Sequence, residues 1–280
     1  MKFAPFSYLR ATDAAEAVRL LAEAQEAAGG ARFIAGGQSL LPALAFRLDQ
    51  PATLIDIGPI AALRGVTLDG GRLRIGALTT HAMIERDPLI ARHAPILAHA
   101  ATFIAHAAIR NRGTIGGSIC NADPAAEMPA VAVALGARLH LLGPKGARVV
   151  EADGFFRGYY ETLRTEAELL THIEVPIAAP ADRWAFGELA RRRGDYALAG
   201  VAVCWAAAPR IVWFGVGDGP RRDGAAEAAL ATGATTAAEI AHVALAGIEV
   251  ASDHATDAAT RAQIARVVLR RALVQAGVTA

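Results

Sequence analysis

Apolar residues recur at helical spacing at Ala17, Leu20, Leu21, Ala24 and Ala28. They predict a helix opened by an Asp13/Glu16 capping box and stopped by Gly29 and Gly30. Residues 31–35 read as a short strand running into Gly36 and Gly37, and residues 40–48 as a helix start with Ser39 as N-cap and Pro42 in the first turn. Apolar runs predict strands at 53–58 and 72–78, and residues 87–109, with Pro88 early, read as helix until the Arg110–Asn111–Arg112–Gly113 break. A second glycine pair, Gly116 and Gly117, follows. Beyond it the pattern predicts a helix over 124–135 and strands at 137–143, 147–152 and 168–176. A Pro- and Ala-containing linker at 176–180 leads to strands at 183–192, 195–207 and 210–218, then to alanine-rich helices from Asp223 onward. Strands and helices mix without the strict alternation of a doubly wound sheet, so the class is α+β in three pieces.

Composition narrows the partners. The 280 residues carry a formal charge of +1, and 54% are hydrophobic, much of that alanine. No basic excess draws the chain to nucleic acid or an anionic membrane, and no apolar run is long enough to span a bilayer. The opening residues lack the pattern of a secretory signal, so the expected location is the cytoplasm. Cys120 and Cys204 are too few and too far apart for an iron-sulfur ligand set and read as buried small hydrophobes. Of the eight histidines, His93, His99 and His106 share one predicted helical region, but none stands three or four residues from another. No metal site is expected.

The two glycine pairs carry the chemistry. Each is followed by a hydroxyl (Ser39, Ser118) and a helix-like run. Backbone N–H groups at such a turn point at one spot, and the missing Cβ atoms let an anion approach without a lysine. Two such turns suit the two phosphates of a dinucleotide clasped from opposite sides. Residues 215–220, Gly-Val-Gly-Asp-Gly-Pro, lack the third glycine of a dinucleotide fingerprint because Pro220 stands there, and read as a loop turn. No Gly-Lys-Ser/Thr phosphate loop occurs.

The segments AGGQSLLP (35–42), LDQPATLIDI (48–57), IRNRGTIGGSICNADPAAEMPA (109–130), LLTHIEVP (169–176) and ARRRGDYALAGVAV (190–203) together resemble the FAD-binding medium subunit of the molybdenum hydroxylases, the xanthine dehydrogenase and carbon monoxide dehydrogenase family. The resemblance runs nearly end to end. It implies a vanillyl-alcohol-oxidase-type (PCMH-type) FAD-binding fold of two subdomains, 1–57 and 58–177, plus a C-terminal domain, 178–280, with antiparallel strands and helices. It places the FAD diphosphate between a first turn of Ile34, Ala35, Gly36, Gly37, Gln38 and Ser39, with Leu40 close by, and a second of Thr114, Ile115, Gly116, Gly117 and Ser118. It also implies acceptor roles for Asp123 and Glu127 near the ribitol, ribose or phosphates, and a place for Tyr196 beside the isoalloxazine ring. The residues alone leave other readings open: Asp123 as N-cap of the 124–135 helix with Glu127 as its first-turn charge, and Tyr196 as a core or interface residue in a strand.

The family often has lysine before its GDYA motif, where this chain has Arg191, Arg192 and Arg193; in a strand only alternate ones share a face. The resemblance further implies a large molybdopterin subunit and a small subunit with two [2Fe-2S] clusters as partners, in a dimer of heterotrimers. Electrons would pass through FAD here to an external acceptor. No catalytic side chain is expected. A free-standing flavin oxidoreductase, or a non-catalytic subunit that has lost flavin, are the competing readings.

Overall fold

The computed structural model describes residues 3–26, 30–205, 208–233, 236–254 and 256–280. The chain begins with β1 (Ser7–Arg10), α1 (Ala14–Glu26), β2 (Ala31–Ile34), α2 (Leu40–Ala45) and β3 (Thr53–Asp56). These strands form a three-stranded parallel sheet in the order β1-β3-β2, with Ser7 and Ala31 both beside Thr53. The N-terminus of α1 departs from a standard capping box. Asp13 accepts the Glu16 N–H at 2.8 Å as expected, but the Glu16 carboxylate reaches back to the N–H and hydroxyl of Thr12, one residue early. Ala28 and Gly29 lie outside the described residues.

Next come β4 (Val66–Asp69), β5 (Arg72–Gly76) and six helices: α3 (His81–Arg86), α4 (Pro88–His93), α5 (Pro95–Ala101), α6 (Ala107–Arg110), α7 (Ile115–Asn121) and α8 (Glu127–Leu135). The single helix expected over 87–109 is thus three. Pro95 cannot donate the hydrogen bond that would carry α4 through Ala94, and Ala105 at φ 39° turns the chain before α6. Strands β6 (Arg138–Gly143), β7 (Gly146–Glu151), β8 (Phe156–Gly158), β9 (Glu161–Thr162) and β10 (Leu169–Pro176) follow. The second sheet is antiparallel, in the order β4-β5-β10-β6-β7. Its apolar face, including Leu73, Ile75, Leu139, Leu141 and Ile173, packs in one core with α5, α7 and α8.

The last part holds β11 (Arg183–Ala190), β12 (Ala197–Trp205), β13 (Pro209–Phe214), β14 (Arg221–Arg222), α9 (Gly224–Ala231), α10 (Ala237–Val243) and α11 (Ala258–Gln275). Its antiparallel sheet is covered on both faces, which explains the nearly continuous apolar run of β12. Phe186, Ala202, Val212 and Phe214 face the core of the second sheet, while Val201, Val203, Ile211 and Trp213 face α9 to α11. On α11 the buried stripe includes Ala265, Val268, Leu269 and Ala272, whereas Val267 lies outside it at 42% exposure. Residues 215–220 form the loop of the β13/β14 hairpin, as expected. The architecture is α+β, and among the described residues no helix is long and apolar enough to cross a membrane. Cys120 and Cys204 are free and pack partly against the core; burial pushes both thiols up, Cys204 to about 12.

Candidate functional site: a cleft between two glycine segments

The first glycine segment leaves the parallel sheet at Ile34 and turns into α2. A Cβ on Gly36 would collide with the Arg112 carbonyl and stand 3.0 Å from the Cα of Gly113, so the first segment rests directly on the backbone leading into the second. Gly37 adopts φ +74°, a left-handed conformation open to glycine at little cost. Between and beyond the two segments runs a cleft of about 950 Å³. Ala35, Gly36, Gly37, Gln38, Ser39 and Leu40 line it, as do Thr114, Gly116, Gly117, Ser118, Asp123, Glu127 and Tyr196.

Two expected residues stand back from it. Ile34 closes β2 and packs towards Gly37. Ile115 is fully buried in the core, and its N–H donates to the Thr79 carbonyl at 3.1 Å.

The two turns offer different donors. Among the described residues none of the five backbone N–H groups from Gly36 to Leu40 donates a hydrogen bond within the protein. Ser39 occupies the N-cap position of α2, yet its side chain makes no capping bond, so hydroxyl and N–H groups alike are left for a ligand. At the second turn the N–H groups from Ile115 to Ser118 are spent. Gly116 donates to the Ala77 carbonyl at 2.9 Å, Gly117 to the Thr114 hydroxyl at 3.1 Å, and Ser118 to the Thr114 carbonyl at 3.0 Å. The two turns, alike in sequence, therefore differ in the backbone donors they leave free. Gly116 is small because α7 presses on Ala77, whose Cβ would lie 2.5 Å from an added one. Gly117 is small where the cleft passes, since a Cβ there would meet only the Thr114 hydroxyl within 4 Å.

Of the two acids, Glu127 is the first-turn charge of its helix as the alternative reading had it, but Asp123 is not the N-cap. Helix α8 starts at Glu127 with Ala126 as N-cap, so Asp123 lies in the preceding turn. There its carboxylate accepts the Ala125 N–H at 2.9 Å and the Tyr160 hydroxyl at 3.2 Å. Burial, reinforced by the negative charge of Asp123, pushes the Glu127 carboxyl up to about 7. Burial and then Glu127 raise Glu188, on β11, to about 8. Tyr196 is not in a strand: it sits in the turn before β12, 73% exposed at the cleft. That turn is held where Gly194, at φ +85°, presses on the Ala105 carbonyl. Arg191, Arg192 and Arg193 are exposed in the same turn and do not line the cleft, so strand alternation does not apply to them.

Several lining residues carried no sequence signal. His81, 4% exposed at the start of α3, has an Nδ1 with no hydrogen-bond partner among the described residues; burial and then the Arg110 guanidinium lower its pKa to about 4, so the ring is neutral. Arg164 spends one nitrogen on the carbonyls of Thr165 and Glu168, while its buried Nε has no partner among the described residues. Arg32 pairs with Asp49 at 3.1 Å and Glu166 at 3.3 Å. Ala105, Ala122 and Tyr160, three non-glycine residues at positive φ, line or adjoin the cleft. Two of them are tied by the Tyr160 N–H to Ala122 carbonyl bond of 3.3 Å. Backbone strain of this kind collects at ligand sites.

Residues 4–178 match the family described as the FAD binding domain in molybdopterin dehydrogenase. The chain belongs to this family. It is 36% identical to the caffeine dehydrogenase subunit beta of Pseudomonas sp. (strain CBB1), over 99% of this chain and 96% of that one. It is 40% identical to the carbon monoxide dehydrogenase medium chain of Hydrogenophaga pseudoflava over 71% of this chain and 68% of that one. Among solved structures it superimposes on carbon monoxide dehydrogenase from the same organism, in a form lacking the Mo-pyranopterin moiety of its cofactor. There the TM-score is 0.93 and the identity 39%, over 99% of this chain and 98% of that chain. Quinoline 2-oxidoreductase from Pseudomonas putida 86 gives a TM-score of 0.91 at 37% identity, over 99% and 98%. The family fits the cleft: unspent N–H groups at the first turn, a bare Gly117 at the second and the partnerless Arg164 Nε suit a diphosphate, and the open mouth at Tyr196 suits a ring system. The protein is an FAD-binding, medium-subunit-type component of a molybdenum-hydroxylase oxidoreductase.

Proposed function

We propose that this chain holds FAD as the electron-transfer station between the iron-sulfur clusters of a partner subunit and an external acceptor. The observation that carries it is the cleft itself, with five unspent N–H groups from Gly36 to Leu40 beside the open Gly117 position. Bound flavin supplies the chemistry of accepting electrons singly and releasing them in pairs. In this reading the residues of the chain position and insulate. The Gly36 to Leu40 turn and the Ser39 and Ser118 hydroxyls bind the diphosphate, with Ile34 and Ile115 shaping the turns from behind. Asp123 and Glu127 accept from sugar or ribitol hydroxyls. Tyr196 covers the ring at the exposed mouth.

The organic or gaseous substrate would be transformed on a large molybdopterin subunit, with two [2Fe-2S] clusters on a small one, in a dimer of heterotrimers in the cytoplasm. The relatives' names as dehydrogenase subunits and medium chains support a heteromeric assembly. The division at 57/58 and 177/178 is supported by the three large sheets, each contained within one of the resulting segments. Purification tests the proposal. The chain should be yellow, bleach on reduction, and co-purify with molybdenum and iron-sulfur subunits. Failure to take up FAD even after reconstitution with those subunits would sink it, and a yellow chain with no such partners would leave a free-standing flavoprotein.

A further inference from the structure

Away from the cleft, the second sheet carries a group of side chains the FAD site does not use. Strands β6 and β10 pair antiparallel, with His140 directly opposite His172 and Arg138 opposite Glu174. Alternation along β10 puts His172 and Glu174 on one face, and the register adds His140 to it. The two imidazoles stack with centroids 4.0 Å apart and planes at 20°. One Glu174 oxygen lies 3.2 Å from His140 Nε2 and the other 4.0 Å from His172 Nε2, so one donor atom from each residue falls within 4.8 Å of the other two.

The surroundings prepare this group as ligands. The Thr171 hydroxyl donates to the His140 carbonyl and stands 3.0 Å from His172 Nδ1. Its one proton being committed, it accepts from Nδ1–H, which leaves Nε2 of His172 as the unprotonated nitrogen, 4.0 Å from a Glu174 oxygen. Orienting hydrogen bonds of this kind fix the tautomer of metal-binding histidines. His140 Nε2 is buried and, among the described residues, makes no aligned hydrogen bond, even to the nearby carboxylate. Side-chain exposures of 21%, 16% and 17% leave an entry path. Two imidazoles and a carboxylate, completed by water, match the donor set of a zinc-type ion.

We propose that His140, His172 and Glu174 form a binding site for a late first-row divalent cation of the zinc class. Opposing it are the guanidiniums of Arg138, 3.4 Å from Glu174, and Arg72, 3.6 Å away, with Arg74 opposite Glu174 in the β5/β10 register. They compete for the carboxylate and set the affinity, so removing one strengthens binding.

The untagged full chain with its own flavin content, stripped with a chelator, is titrated with Zn²⁺ by calorimetry and with Co²⁺ by visible absorption. One equivalent of Zn²⁺ should bind per chain and raise the thermal midpoint. His140→Ala and His172→Ala should each weaken binding roughly tenfold or more, Thr171→Val should weaken it with all three ligands in place, and Arg138→Gln should strengthen it. Flavin content should stay unchanged throughout. Absence of saturable Zn²⁺ binding, or binding undiminished in the His140→Ala/His172→Ala double variant, would overturn the assignment. Should the histidine variants fail to fold, an unaltered affinity in Thr171→Val and Arg138→Gln would do the same.

Discussion

Gly36 lies against the carbonyl of Arg112 with no space for a side chain between them. The contact joins the parallel sheet of the first segment to the loop that launches α7, so the shape of the cleft depends on one glycine that packs on protein. Gly117 is its counterpart on the ligand side.

These two glycines should fail differently. Gly36→Ala forces apart backbone that cannot yield and is expected to cost about 1–3 kcal/mol or more, visible as a lowered denaturation midpoint even without flavin. Gly117→Val adds its bulk where the cleft passes. It should fold with a near-normal midpoint but purify colourless; full flavin content in this variant would contradict the placement of the diphosphate.

His81 makes the flavin-free chain acid-sensitive. Its folded pKa of about 4 lies below the ordinary 6.5 because of burial and then Arg110, so the unfolded chain binds the proton first. The associated stability is fully present above about pH 6.5 and is lost progressively as pH falls towards 4, by up to about 3 kcal/mol. Denaturant melts of wild type and His81→Leu across this range should diverge, the variant showing the shallower slope.

Glu127 acts in the opposite direction. Its carboxyl, pushed up to about 7 by burial and by Asp123, keeps its proton in the fold at pH values where the unfolded chain has released it. This contribution is complete below 4.5 and disappears as pH rises through 7. Without flavin at pH 8, Glu127→Gln should be more stable than wild type by roughly 1–2 kcal/mol after allowance for partial solvent screening, and equal stability would show that the carboxyl ionises freely there.

Asp223 organises the C-terminal part. Fully buried, its carboxylate accepts the Trp213 indole N–H at 2.8 Å, the Leu245 N–H at 2.6 Å and the Ala226 N–H at 3.0 Å. It therefore caps α9 while tying β13 to the segment after α10. Asp223→Ala leaves three buried donors unpaired, so a loss of about 3–5 kcal/mol is expected in thermal or urea unfolding; a loss below 1 kcal/mol would mean that water replaces the carboxylate.

The sequence by itself determined the class of fold, most strands, both glycine turns and the family, because these rest on local periodicity and on motifs contiguous in the chain. Ala35 to Leu40 and Thr114 to Ser118 were legible for that reason. Tertiary structure decided which atoms are free. The N–H groups of Gly116 and Gly117 looked like donors until Ala77 and Thr114 were seen to take them. His81 on α3, and Tyr160 and Arg164 on either side of β9, come to the cleft from segments outside both glycine turns and leave no local trace. The parallel pairing of β1 beside β3, and the antiparallel pairing that sets His140 beside His172, depend on register between distant strands. A linear pattern records which face a residue occupies; only the packed chain fixes what stands opposite.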